Sequence, residues 1–297
     1  MTVWRNAGLG DLLLSACAAW RFARDTHRTL VIDWRGTWYT GSRRINLFDR
    51  LFHRVDEWGG VPVRVSTADD PFESPPAAQR SDVGEAANAQ AACRLIDSGV
   101  DVDDPHVQWW GCIAPAHPRP AQTAALLRDL QPLPHLADAV AHARQTLLGD
   151  GPSIGVHLRH GNGGDILSHA RHWADGLAVH RVTSAIRTAR AALGADTPVL
   201  VCTDSVEVHD ALRTMVPGVR AVPKPFRPAG EGEQHRWADA STMLDVTFVE
   251  MFLLAHTTAL VRMPPASYFS TPAAYLKQPA PTELLVREPS GLDPAIW

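Results

Sequence analysis

The chain has little cysteine: Cys17, Cys93, Cys112 and Cys202 are scattered through 297 residues, and no two stand at the Cys-x-x-Cys spacing of a zinc or redox centre. Disulfide scaffolds and zinc modules are set aside. Cys17 and Cys202 sit among apolar neighbours and read as small buried thiols. The 14 histidines form no His-Glu-x-x-His cluster, and His169 and His172 alone do not make a metal site. No apolar run long enough for a membrane span is free of charge or proline. Met1-Thr2-Val3-Trp4-Arg5-Asn6 lacks the basic start and long apolar core of a secretory signal, so a cytoplasmic location is expected. A surplus of positive charge is also missing. Against 32 Asp and Glu stand 28 Lys and Arg, a net charge of -4, with no basic stripe for a nucleic-acid backbone.

What is present is a 45% hydrophobic composition, enough over this length for two domains, each with its own core. Leu12 to Ala23 has helical apolar spacing, and Thr29 to Trp34 reads as a buried strand closing at Arg35-Gly36. Ahead of the helix, Asn6-Ala7-Gly8-Leu9-Gly10-Asp11 reads as a small-residue loop with Asp11 capping the helix start. Ser66 to Gln90, rich in Pro, Asp, Ser and Ala, reads as a surface excursion. Trp109-Trp110 beside Gly111 reads either as core or as a surface for stacking on a sugar ring. A helical stretch from Leu136 to Leu148 leads into Gly149-Asp150-Gly151-Pro152, which divides the chain into 1–148 and 149–297. Beyond it, strands and helices alternate: Ile154–Leu158, a helix through Val179, Val182, Ile186 and Leu193, Val199–Cys202, a helix from Val206 to Met215, Val219–Val222, a long helix around Met243 to Ala255, and Ala259–Arg262. That alternation predicts an α/β, Rossmann-like second half with a parallel sheet.

Ligands in such sheets bind beyond the carboxyl ends of the strands. There the sequence places Arg159, then His160-Gly161-Asn162-Gly163-Gly164-Asp165, together with Thr203-Asp204-Ser205 and Pro264-Pro265-Ala266-Ser267. A strand running into a glycine turn lets backbone N–H groups approach a phosphate, and Arg159 adds a two-pronged charged contact. His160 and Asn162 offer contacts to phosphate or sugar hydroxyls, although Asn162 equally suits a left-handed turn. His157 shares a sheet face with Arg159 and by itself reads as a satisfied core histidine. Asp204 either binds a hydroxyl or caps the following helix. Glu250, alone within Val246 to Leu254, requires a partner. That partner is either the N1–H and N2–H edge of guanine or a nearby arginine.

Gly155-Val156-His157-Leu158-Arg159-His160-Gly161-Asn162-Gly163 resembles the phosphate motif of the nodulation fucosyltransferases of NodZ type. So do Gly8-Leu9-Gly10-Asp11, Ala18 to Arg24, Thr29 to Gly36, Cys202 to Ser205 and Pro264 to Ser267, in order along two-thirds of the chain. The resemblance implies a GT-B fold of two facing Rossmann-like domains, with the last residues packing back on the first. It implies GDP-fucose held mainly by the second domain, and inverting transfer of L-fucose to a 6-hydroxyl of N-acetylglucosamine without a required metal. Arg159 would hold the pyrophosphate, His157 would lie beside the nucleotide, Ser267 would complete the phosphate side, and Glu250 would replace the aspartate that reads guanine in related α-1,6-fucosyltransferases. Gly163, Thr203, and Gly8, Gly10 and Asp11 of the first loop join the expected donor contacts.

No tightly bound cofactor is expected, while Asp165 and Asp204 leave a divalent cation on the pyrophosphate open. Gly164 replaces an acidic residue of the nodulation enzymes, and the segment from Trp109 to Pro134 diverges, so the donor side is kept better than the acceptor side. The leading expectation is sugar transfer from a GDP donor to a hydroxyl acceptor, an oligosaccharide or a small molecule. The alternatives are a GDP-sugar pyranose/furanose mutase working without an acceptor, and a non-catalytic GDP-sugar-binding protein.

Overall fold

Strands buried on both faces cannot alternate polar and apolar residues, and the contiguous runs at Ile154, Val199 and Ala259 become the middle of a parallel sheet. The computed structural model describes residues 2–4, 8–72, 91–110, 120–159, 177–228, 240–262, 268–277 and 283–285. The chain divides into compact units spanning Met1–Leu133 and Pro134–Ile296.

In the first unit, β1 (Thr2–Trp4), β2 (Leu30–Ile32), β3 (Glu57–Trp58), β4 (Val61–Val65) and β5 (Gln108–Trp110) form a sheet of order β3-β4-β2-β1-β5. All its pairs are parallel except β3 with β4. Helix α1 (Leu9–Asp25) starts earlier than the apolar spacing suggests. Gly8 is its N-cap, with no side-chain capping bond, and Asp11 lies inside the first turn, where its charge suits the helix dipole. Gly10 is a buried helical residue rather than part of a loop.

After β2 the chain turns around two buried polar side chains. The Asn46 amide donates to the carbonyls of Ile32 and Ser66 and accepts from the N–H groups of Trp34 and Phe48. Arg35, 1% exposed, spends its five donors on both oxygens of Asp33 and on the carbonyls of Thr67, Asp70 and Pro71. Phe72 covers the guanidinium at 5.3 Å. The start of the expected surface excursion is therefore pinned, because Ser66 is buried and Arg35 gathers the carbonyls that follow it.

The second unit contains β6 (Ile154–Leu158), β7 (Val199–Thr203), β8 (Val219–Arg220), β9 (Ala259–Arg262) and β10 (Glu283–Leu285) in the order β10-β9-β6-β7-β8, all parallel. Beyond α2 (Phe48–Leu51) and α3 (Pro120–Asp129) of the first unit, its helices are α4 (Pro134–Ala143), α5 (Leu177–Leu193), α6 (Val206–Met215), α7 (Ala240–His256) and α8 (Ser270–Leu276). The border lies before α4 rather than at Gly149–Pro152, because α4 buries Leu136 and Val140 and packs on α7. A π-helical turn, Arg144–Leu148, then feeds β6. Ile154, Val156 and Leu158 join Val182, Ile186, Val199, Val201, Leu212 and Val261 in one core.

The fit of α7 on β6 depends on Gly155. A Cβ there would stand 2.7 Å from Thr257 Oγ1 and 3.0 Å from Leu254 Cδ2. Gly155→Ala is expected to lower stability by about 1–3 kcal/mol through overpacking, read as a lower denaturant midpoint. An unchanged midpoint would show that α7 yields freely.

Candidate functional site

Parallel pairing places His157 opposite Cys202 on one side and Arg262 on the other, with Leu158 opposite Thr203. Residues just past β6, β7 and β9 therefore share one end of the sheet, on both sides of β6, where the strand order reverses.

Arg159 leaves β6 with its side chain 22% exposed and meets Asp204, which leaves β7, with Nη1 3.2 Å from Oδ2. Asp204 does not cap α6. That role falls to Ser205, whose Oγ accepts from the Val208 N–H. Thr203 Oγ1 accepts from the Ser205 N–H, so its hydroxyl oxygen supports the turn. Asp204 is left to orient the guanidinium.

His157 is buried, and burial pulls its imidazole down to about pKa 3, against an opposing pull from Asp204. It is therefore neutral at physiological pH. Its Nδ1 lies 3.0 Å from Ser270 Oγ, and Phe269 packs on its ring at 4.8 Å. Arg262, also buried, donates from Nε to Ser270 Oγ and from Nη2 to Thr271 Oγ1. Sequence reasoning missed Arg262, which looks like the polar end of an apolar strand, and missed Ser270 and Thr271 at the start of α8.

Glu250 has the partner its apolar surroundings demanded, and that partner is a lysine. Lys224 Nζ lies 2.7 Å from Oε1 and 2.9 Å from Oε2, with the two side chains 4% and 7% exposed. Burial pushes the Glu250 carboxyl up, and Lys224 opposes that push. Phe226 lies 5.3 Å from the ammonium and packs against His209 at 5.6 Å. Nothing in Val222-Pro223-Lys224-Pro225 marks Lys224 as more than a loop lysine between prolines.

Cationic Arg159, Arg262 and Lys224 thus stand with carboxylates Asp204 and Glu250 around a neutral imidazole, a setting suited to a polyanionic ligand. His160, Asn162, Gly163, Gly164, Asp165 and Ser267 lie outside the described residues, and Gly8, Gly10 and Asp11 belong to the first unit. Among the described residues no group of three His, Cys, Asp or Glu is placed to hold a metal ion, and no helix is long and apolar enough to cross a membrane.

The family model described as Nodulation protein Z (NodZ) matches residues 1–79 and 96–284. Nodulation protein Z of Sinorhizobium fredii is 33% identical over 97% of this chain and 94% of its own length. Its counterpart from Bradyrhizobium diazoefficiens is 33% identical over 97% of this chain and 81% of its own. Among solved structures, NodZ alpha-1,6-fucosyltransferase soaked with GDP-fucose matches 93% of this chain and 92% of its own, with a TM-score of 0.74 and 27% identity. The apo-form of POFUT1, 14% identical at a TM-score of 0.55 over 96% of this chain and 97% of its own, shares the fold alone. The fold class is α/β, GT-B-like. Matched along nearly its whole length by the family model and by a third of its residues to curated members, the chain belongs to the NodZ nodulation protein family.

Proposed function

We propose that this chain is a GDP-fucose-dependent glycosyltransferase that moves the sugar to a hydroxyl of a saccharide acceptor. The observation that carries the reading is Arg159, held by Asp204 at the carboxyl end of the central strand, in a chain that matches over 93% of its length a fucosyltransferase soaked with GDP-fucose. The acceptor hydroxyl oxygen attacks the anomeric carbon and gives up its proton to water, the bond from that carbon to the β-phosphate oxygen breaks, and GDP departs with the bonding electrons. Charge grows on the departing diphosphate, and a preorganised guanidinium stabilises it more in the transition state than in the ground state.

In this proposal Arg159 is catalytic, with His160, Asn162, Gly163 and Ser267 completing the phosphate contacts. His157 lies beside the nucleotide, Thr203 and Asp204 hold the turn and the arginine, and Glu250 reads the base. GDP-sugar chemistry together with the buried thiols Cys17 and Cys202 supports a cytoplasmic setting. Curated relatives of this length favour neither the mutase nor the binding-only alternative.

The test incubates the protein with GDP-fucose, with and without a chito-oligosaccharide, and follows products by chromatography and mass. GDP release that requires the acceptor is expected. An isobaric GDP-sugar formed without acceptor would overturn the transferase reading in favour of a mutase, and an unaltered donor under both conditions would leave binding alone.

A further inference from the structure

We propose that Lys224 is a specificity-determining residue that donates to O6 of guanine while Glu250 accepts from N1–H and N2–H. The inference rests on the GDP-sugar reading above and deepens it. Along one edge guanine presents an acceptor followed by two donors, so a complete reader needs one donor followed by two acceptors. A carboxylate beside an ammonium is such a set. Here it is already assembled, with Nζ 2.7 and 2.9 Å from the two Glu250 oxygens.

The placement is costly for a pair with no further task. Two nearly buried ions gain little net stability from each other, and apolar side chains of similar volume often serve as well. A lysine also suits this task better than an arginine. Its compact charge on a flexible stem moves between acceptors, whereas a guanidinium fork would hold both oxygens of Glu250 in a fixed pairing. A base docking on the two carboxylate oxygens moves the ammonium from straddling them to the outer lone pair of the oxygen that takes N1–H. O6 lies beside that position. With Phe226 5.3 Å from the ammonium and the lysine side chain 4% exposed, a contact made there lies in a low-dielectric setting that strengthens it. Adenine presents an amino group in place of O6 and no N1–H, so the same pair opposes it at both positions.

The experiment measures binding of GDP, 6-thio-GDP and inosine diphosphate to the full chain by calorimetry. Sulfur at position 6 accepts weakly while N1–H and N2–H remain, so wild type is expected to bind 6-thio-GDP about tenfold more weakly than GDP. In Lys224→Met, checked for folding by its thermal melt, that ratio is expected to fall below about threefold, with Lys224→Arg restoring part of it. Equal affinity of wild type for GDP and 6-thio-GDP overturns the proposal without recourse to any variant, and so does an unchanged ratio in folded Lys224→Met. Inosine diphosphate lacks the N2 amino group and reports on Glu250 alone. If wild type does not distinguish it from GDP, the guanine reading of Glu250 fails separately from that of Lys224.

Discussion

Arg159→Ala is expected to lower kcat for acceptor-dependent GDP release by about 10²–10³-fold, the effect of deleting one preorganised donor from a site of developing negative charge. The residue lies just past β6 and keeps part of its side chain in solvent, whereas the sheet's stability resides in Ile154, Val156 and Leu158, so the thermal melt should stay close to that of wild type. Arg159→Lys keeps the charge but loses the two-pronged donor set, and should recover only part of the rate. Asp204→Asn leaves Arg159 in place with a weaker orienting partner, so its loss should be smaller than that of Arg159→Ala. Initial rates at saturating GDP-fucose measure all three. A near-normal rate for a folded Arg159→Ala would remove Arg159 from the mechanism.

The largest expected effect on stability lies in the first unit. Arg35→Ala removes the cation that holds Asp33 and the donors that hold Thr67, Asp70 and Pro71, leaving a nearly buried carboxylate. Breaking a buried pair on one side costs about 3–5 kcal/mol. Removing both charges, as in Asp33→Asn with Arg35→Met, should cost less than Arg35→Ala alone, because no unpaired ion remains. Urea unfolding of the two proteins decides the matter, and a single variant that unfolds near the wild-type midpoint would show that water replaces the guanidinium cheaply.

The second unit was the more legible half. Its strands are buried on both faces, so they appear as unbroken apolar runs, and its helices bury stripes such as Val182 with Ile186 and Val208 with Leu212. The expected strand at Val219–Val222 shortens to Val219–Arg220, ahead of Pro223 and Pro225, which have no N–H to donate to a ladder. In the first unit, β3 and β5 are 2 and 3 residues long, too short to show a period. β4 alternates buried and exposed positions, but Pro62 disguises it as a turn.

At the site, Arg159 and Asp204 were legible because strand ends are where ligands and glycine turns occur. The isolation of Glu250 in an apolar helix announced a partner, but not its identity. Lys224 comes from an irregular segment 26 residues away, and only the fold brings the two together. The exchange of roles between Asp204 and Ser205 was illegible for a simpler reason. Both residue types cap helices well, and only the tertiary pull of Arg159 decides between neighbours.

The position of β6 in the middle of its sheet also sets an order in time. β7 and β8 follow it closely along the chain, whereas β9 joins only after α7 is complete, and the Ser153 N–H to Thr258 Oγ1 bond beside that junction closes 105 residues. Long closures form late in folding, and synthesis delivers the earlier partners first. A growing chain can thus pair Arg159 with Asp204 on a half-built sheet. Lys224 must wait for Glu250 on α7, and His157 must wait for Arg262 and Ser270. On the proposed assignment the phosphate side of the site forms before the base side, and a chain interrupted before α7 lacks the carboxylate proposed to read the base.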